Sequence, residues 1–87
     1  VSSKTFDGVW FIAYANDHLP PHVHGFYAEV EVIVNLLPAQ KVGRSDRSDA
    51  IDPKNAKRGD VRRILKVAAA YAAELHKLWE AMNGPAY

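Results

Sequence analysis

Eighty-seven residues, 48% of them apolar and 24% charged, make a chain with room for one globular domain, residues 1–87, and no second one. The absence of cysteine excludes disulfides, thiolate metal sites and a cysteine nucleophile, and makes a reducing, cytoplasmic setting the expectation. A formal charge of +1 excludes a uniformly polybasic or polyacidic chain, and no apolar run approaches the roughly 20 residues that cross a bilayer, so no membrane partner is expected.

Val9 to Ala15 is aromatic and β-branched, follows Asp7-Gly8 and stops at Asn16-Asp17, which reads as a strand largely buried on both faces. Asn16 to Pro21 holds turn formers and a Pro-Pro pair, so it is a connection. From His22 a period of two begins. It sets His22, His24, Phe26, Ala28, Val30, Val32 and Val34 on one face, and Val23, Gly25, Tyr27, Glu29, Glu31 and Ile33 on the other. The two segments can pair as an antiparallel hairpin with a long tip. Gly25 is where a bulge would sit.

Pro38 closes the second strand, and residues 38–59 form a basic connection with few apolar residues. Its length argues either for a third, short strand around Val42 or Ile51 or for mobility. Asp52-Pro53 could open one helical turn, aspartate as cap and proline at the first helical position. Asp60 then caps a long helix with apolar residues at Val61, Ile64, Leu65, Ala68, Ala72, Leu75, Trp79 and Met82, ended by Gly84-Pro85. Trp10, Tyr71, Trp79 and Met82 are read as core, and His76 as a packing or hydrogen-bonding residue. The expected architecture is α+β: a small antiparallel sheet of two or three strands packed on one long C-terminal helix. A chain this short buries only roughly 60–65% of the surface its unfolded form exposes, and so long a helix could overhang, which makes self-association an expectation.

Chemistry concentrates in Asp17-His18-Leu19-Pro20-Pro21-His22-Val23-His24, which holds three of the four histidines and a carboxylate. Imidazoles titrate near neutral pH and ligate metals, so the cluster suits proton transfer or a divalent ion. His22 and His24, two apart on a strand, can face one ligand together, and Asp17 or His18 would have to complete a metal site. Asp17 could instead orient a histidine as general base toward a phosphodiester. The structural alternative is that these histidines hold the Pro-Pro turn by bonding its carbonyls. Glu29 and Glu31 share a face as a carboxylate pair or as ordinary solvated residues.

Between Lys41 and Lys66 the chain carries nine Lys/Arg against four Asp, while the remainder carries two against six. Arg44, Arg47, Lys54, Lys57, Arg58, Arg62 and Arg63 could neutralise phosphates of a nucleic acid or meet an acidic partner. Against this, the two Arg-Ser-Asp units at 44–46 and 47–49 can pair internally, and no aromatic residue is interleaved for base stacking.

Asp17-His18-x-Pro20-Pro21-His22-x-His24, followed by Tyr27, resembles the signature of the bacterial domain-of-unknown-function family 4160. The resemblance extends to a strand just before the motif and a long C-terminal helix with a late tryptophan, here Trp79. The chain departs from the family's habit at Val23, usually aromatic, at Gly25, usually alanine, and in its longer basic stretch. The resemblance implies a small bacterial domain, often encoded beside another small protein in toxin–antitoxin-like gene pairs, with no established activity. The expected function is a partner- or nucleic-acid-binding module of such a system, with the histidine loop as its site. The alternative is a small nuclease in which His22 and His24, with Asp17 or His18, act as acid and base or hold a divalent ion.

Overall fold

The computed structural model describes all residues from Val1 to Tyr87. Six strands form one antiparallel sheet: β1 (Ser2–Phe6), β2 (Val9–Ala13), β3 (His22–Tyr27), β4 (Val30–Leu37), β5 (Lys41–Arg44) and β6 (Ile51–Asp52). Two helices follow, α1 (Arg58–Ala70) and α2 (Ala72–Asn83). The first five strands lie side by side in chain order, and β6 also pairs with β4, whose far edge it shares with β5. This overturns the expected sheet of two or three strands on one long helix.

Each departure has a local cause. Asp7 and Gly8, with φ of 47° and 84°, form a tight turn that folds β1 back on β2, pairing Phe6 with Val9. The second period-two segment is likewise not one strand but a hairpin. Ala28 and Glu29 adopt φ of 51° and 66°, so that Tyr27 faces Val30 and Val23 faces Val34. Neither residue is one that usually marks a left-handed turn, so the sequence conceals it. The turn also exchanges the faces: odd-numbered residues of β3 share a side with even-numbered residues of β4. Val23 and Gly25, not His22 and His24, therefore stand with Val30, Val32 and Val34.

That side is covered by the helices. Val9, Phe11, Val23, Val32, Val34 and Leu36 are fully buried there with Ile64, Ala68 and Leu75. Gly25 carries no bulge and pairs regularly with Phe11 and Val32. It is instead where α1 comes closest, since a Cβ there would lie 2.7 Å from Ile64 Cγ2 and 2.9 Å from Phe11 Cε1. On the other side Ile12 is buried whereas Trp10 is 43% exposed and packs on Phe26, so the first apolar segment is largely buried on both faces but Trp10 is not core.

The long apolar stripe is real but interrupted at Tyr71, where φ −114° and ψ 29° separate α1 from α2. The Tyr71 ring stacks on Phe6 with centroids 4.4 Å apart, and its hydroxyl donates to Asp7 Oδ1 at 3.3 Å. The negative charge of Asp7 holds the Tyr71 phenol above its ordinary value of 10.0. This contact with the first turn accounts for the break, because no glycine or proline lies within the stripe. α1 also begins earlier than expected, with Lys57 as its cap residue and Asp60 inside its first turn. Residues 38–59, expected as one strand or as a mobile connection, supply both β5 and β6. Asp52 ends β6 and α1 begins only at Arg58, so the Asp52-Pro53 pair opens no helix.

Candidate functional site

Asp17 reaches the site from the connection between β2 and β3. Asn83, at the end of α2, holds that connection by accepting the Asn16 amide at 2.8 Å and donating to the Tyr14 carbonyl at 2.9 Å. At its other end the Leu36 amide donates to the Pro21 carbonyl at 2.9 Å. The uninterrupted pleat of β3 then points His22 and His24 to the same side, with ring centroids 5.1 Å apart.

The three side chains converge. His22 Nε2 lies 3.0 Å from Asp17 Oδ2, and His24 Nε2 lies 3.6 Å from the same oxygen. Each ring is fixed through its other nitrogen. His22 Nδ1 donates to the Pro20 carbonyl at 2.8 Å, and His24 Nδ1 donates to Glu31 Oε2 at 2.7 Å. Carbonyl and carboxylate oxygens only accept, so in the neutral rings both Nε2 atoms carry lone pairs. His22 is 2% exposed and lies against Trp79, with centroids 5.8 Å apart. Its Nε2 has no hydrogen-bond partner, because Asp17 Oδ2 is near enough but lies off the direction a bond requires.

His18 belongs to the same network from outside. Its Nδ1 is 3.3 Å from Asp17 Oδ1, and its Nε2 accepts from Arg47 Nη1 at 2.6 Å. Arg47 also binds Asp49 through two bonds, Nε to Oδ1 at 2.9 Å and Nη2 to Oδ2 at 2.8 Å. These bonds hold the Asp49 carboxyl below its ordinary value of 3.8. Arg47, assigned from sequence to a basic surface, thus docks on the histidine centre.

Two hollows adjoin the sheet edge formed by β5 and β6. A groove of about 870 Å³ between that edge and α1 is lined by Arg44, Lys54, Arg58, Arg62 and Lys66 over an apolar floor of Ile51, Ala56, Val61 and Leu65. No carboxylate lines it. A smaller hollow of about 280 Å³ is lined by His24, Glu31, Arg47, Asp49 and Lys54 among others, and it shares Ile51 and Lys54 with the groove.

The family model described as a domain of unknown function, DUF4160, matches residues 8–80. The chain belongs to the DUF4160 family. No curated protein and no solved structure matches it. The match covers β2 to most of α2, so the whole histidine centre and the whole basic groove lie inside the DUF4160 domain. No helix of the domain is long and apolar enough to cross a membrane.

Of the residues singled out in the sequence, the DUF4160 domain brings Asp17, His18, His22 and His24 together, and it brings Arg44, Lys54, Arg58 and Arg62 together in the groove. Lys57 stands apart at the start of α1. Arg63 points away from the groove, over the Tyr27 ring at 5.0 Å and toward the Asp7 carbonyl at 3.3 Å. His76 is buried and donates to the Lys41 carbonyl at 2.9 Å, the bonding role expected of it. Sequence reasoning missed Glu31 as the partner of His24, because that contact depends on the concealed turn at Ala28-Glu29. It missed Lys66 as a groove residue, although the spacing Arg58, Arg62, Lys66 places one cation on each successive helical turn.

Proposed function

We propose that this DUF4160 domain is a nucleic-acid-binding module of a toxin–antitoxin-like system, with the groove between β6 and α1 as the surface that takes the phosphate backbone. One observation carries the reading: five cationic side chains line a single groove with no carboxylate among them. Cations that are not neutralised within the protein attract phosphates and release their counterions, which makes binding fall steeply with salt. The pairing that argued against a basic surface is confined to Arg47 and Asp49 and leaves Arg44 in the groove. The toxin–antitoxin-like setting rests only on what the sequence resemblance implies and not on the groove.

Fluorescence anisotropy with a labelled single-stranded oligonucleotide tests the reading. The wild-type chain should bind, and the double variant Arg58→Ala/Arg62→Ala should bind more weakly, with the salt slope reduced by about 1 for each phosphate contact removed. Lys77→Ala, on α2 and beside Glu74, should change nothing. Absence of binding, or equal affinity in the double variant, refutes the proposal.

A second reading, a small nuclease, is favoured by the continuity of the groove with the histidine centre through Ile51 and Lys54. On that reading His24→Ala abolishes cleavage of RNA or DNA while the circular dichroism spectrum stays unchanged. Cleavage that persists in this variant dismisses it.

A further inference from the structure

We propose that Asp17, His22 and His24 bind one divalent ion of the zinc type through Asp17 Oδ2 and the two Nε2 atoms. Ligand atoms of the three residues lie within 4.8 Å of one another. Two ligands held at about 2.0–2.2 Å from one ion stand roughly 3.0–3.5 Å apart. The separations of 3.0 and 3.6 Å from Asp17 Oδ2 to the two ring nitrogens are close to that spacing.

An independent observation points to the ion. His22 Nε2 is buried, has no hydrogen-bond partner, and faces a carboxylate oxygen that is itself an acceptor. With both rings neutral, three acceptor atoms thus lie within 4.8 Å of one another, and a cation is a group that would satisfy all of them. The outer contacts agree with this. Each ring's Nδ1 is held by an oxygen acceptor, Pro20 O for His22 and Glu31 Oε2 for His24, the arrangement that fixes tautomer and orientation in metal-bound histidines. Imidazole nitrogens with one carboxylate suit zinc, iron, nickel or copper better than magnesium or calcium, which prefer oxygen throughout. His18 is not a fourth ligand, because its Nε2 is engaged by Arg47 and its Nδ1 faces the other oxygen of Asp17. Three protein ligands leave coordination positions open to water or to an oxygen of a bound molecule. The proposal does not depend on the groove, and either can fail without the other.

The test is titration of the purified, chelator-treated chain with Co²⁺, read by visible absorption, and with Zn²⁺, read by calorimetry. One ion should bind per chain. Asp17→Ala and His24→Ala should each weaken binding by more than the roughly 10–100-fold typical of outer-shell losses, whereas His76→Ala should not weaken it. His22 is packed against Trp79. Its role is therefore read in the wild-type chain from histidine ¹⁵N shifts: the Nε2 resonances of His22 and His24 should move on adding Zn²⁺, with those of His18 and His76 unmoved. Absence of binding, affinity retained in both Asp17→Ala and His24→Ala, or shifts confined to other histidines overturns the proposal. The ¹⁵N result decides the matter even if a variant fails to fold.

Discussion

Glu31 and His24 meet diagonally across the β3–β4 hairpin, with Oε2 of the carboxylate 2.7 Å from Nδ1 of the ring. This contact turns His24 Nε2 toward Asp17, so Glu31 acts on the centre only by positioning a ring. Glu31→Ala should weaken Zn²⁺ binding by roughly 10–100-fold. Glu31→Gln keeps an oxygen able to accept the Nδ1 hydrogen and should recover most of the loss. Calorimetric titration of both variants checks this, and equal affinities for Glu31→Ala and the wild type would show that Glu31 has no such role.

Gly25 has a measurable packing role. The space for a Cβ is already taken by Ile64 and Phe11, at 2.7 and 2.9 Å. Gly25→Ala should therefore destabilise the fold by about 1–3 kcal/mol, the usual range for overpacking a core. Urea unfolding reads this as a lower midpoint with unchanged slope. An unchanged midpoint would mean that α1 moves off β3 at little cost.

Asp49 supplies a pH dependence whose sign is fixed. Its bonds to Arg47 depress the carboxyl pKa below 3.8 in the folded chain. The stabilisation is complete above the unfolded value of 3.8 and is lost as pH falls through the lower folded value. A carbon-detected NMR titration of the Asp49 carboxyl should show a midpoint below 3.8 that returns to the ordinary range in Arg47→Ala. A midpoint that is the same in wild type and variant would remove Arg47 as the cause.

Much of the candidate site was legible in the sequence, because the meeting of Asp17, His22 and His24 depends on little beyond the pleat of one strand and one short connection. The helical stripe from Val61 to Trp79 was equally open to reading, since its apolar spacing is what buries Ile64, Ala68 and Leu75. Misreadings came where backbone conformation runs against residue type. Ala28 and Glu29 turn the chain with positive φ though neither is glycine or asparagine, and this one turn reversed the face assigned to both histidines. Tyr71 breaks the helix through a contact with Phe6 and Asp7, far from it in sequence. A short strand around Val42 or Ile51 was expected as the alternative to mobility, and both places form strands; β6 has only two residues and gains its place by pairing with Glu31 and Val32 on β4. Arg47 looked like every other cation in its stretch until the loop after β5 carried it to His18.

Amide NMR of the ¹⁵N-labelled chain titrated with a short oligonucleotide tests most directly, residue by residue, whether the surface between β6 and α1 receives a phosphate backbone. Resonances of Ile51, Lys54, Ala56, Val61 and Leu65, which line the groove, should shift together and recover as salt is raised. Shifts that avoid these residues and gather instead around Trp10 and Phe26 on the opposite face of the sheet, or no shifts at all, would contradict it.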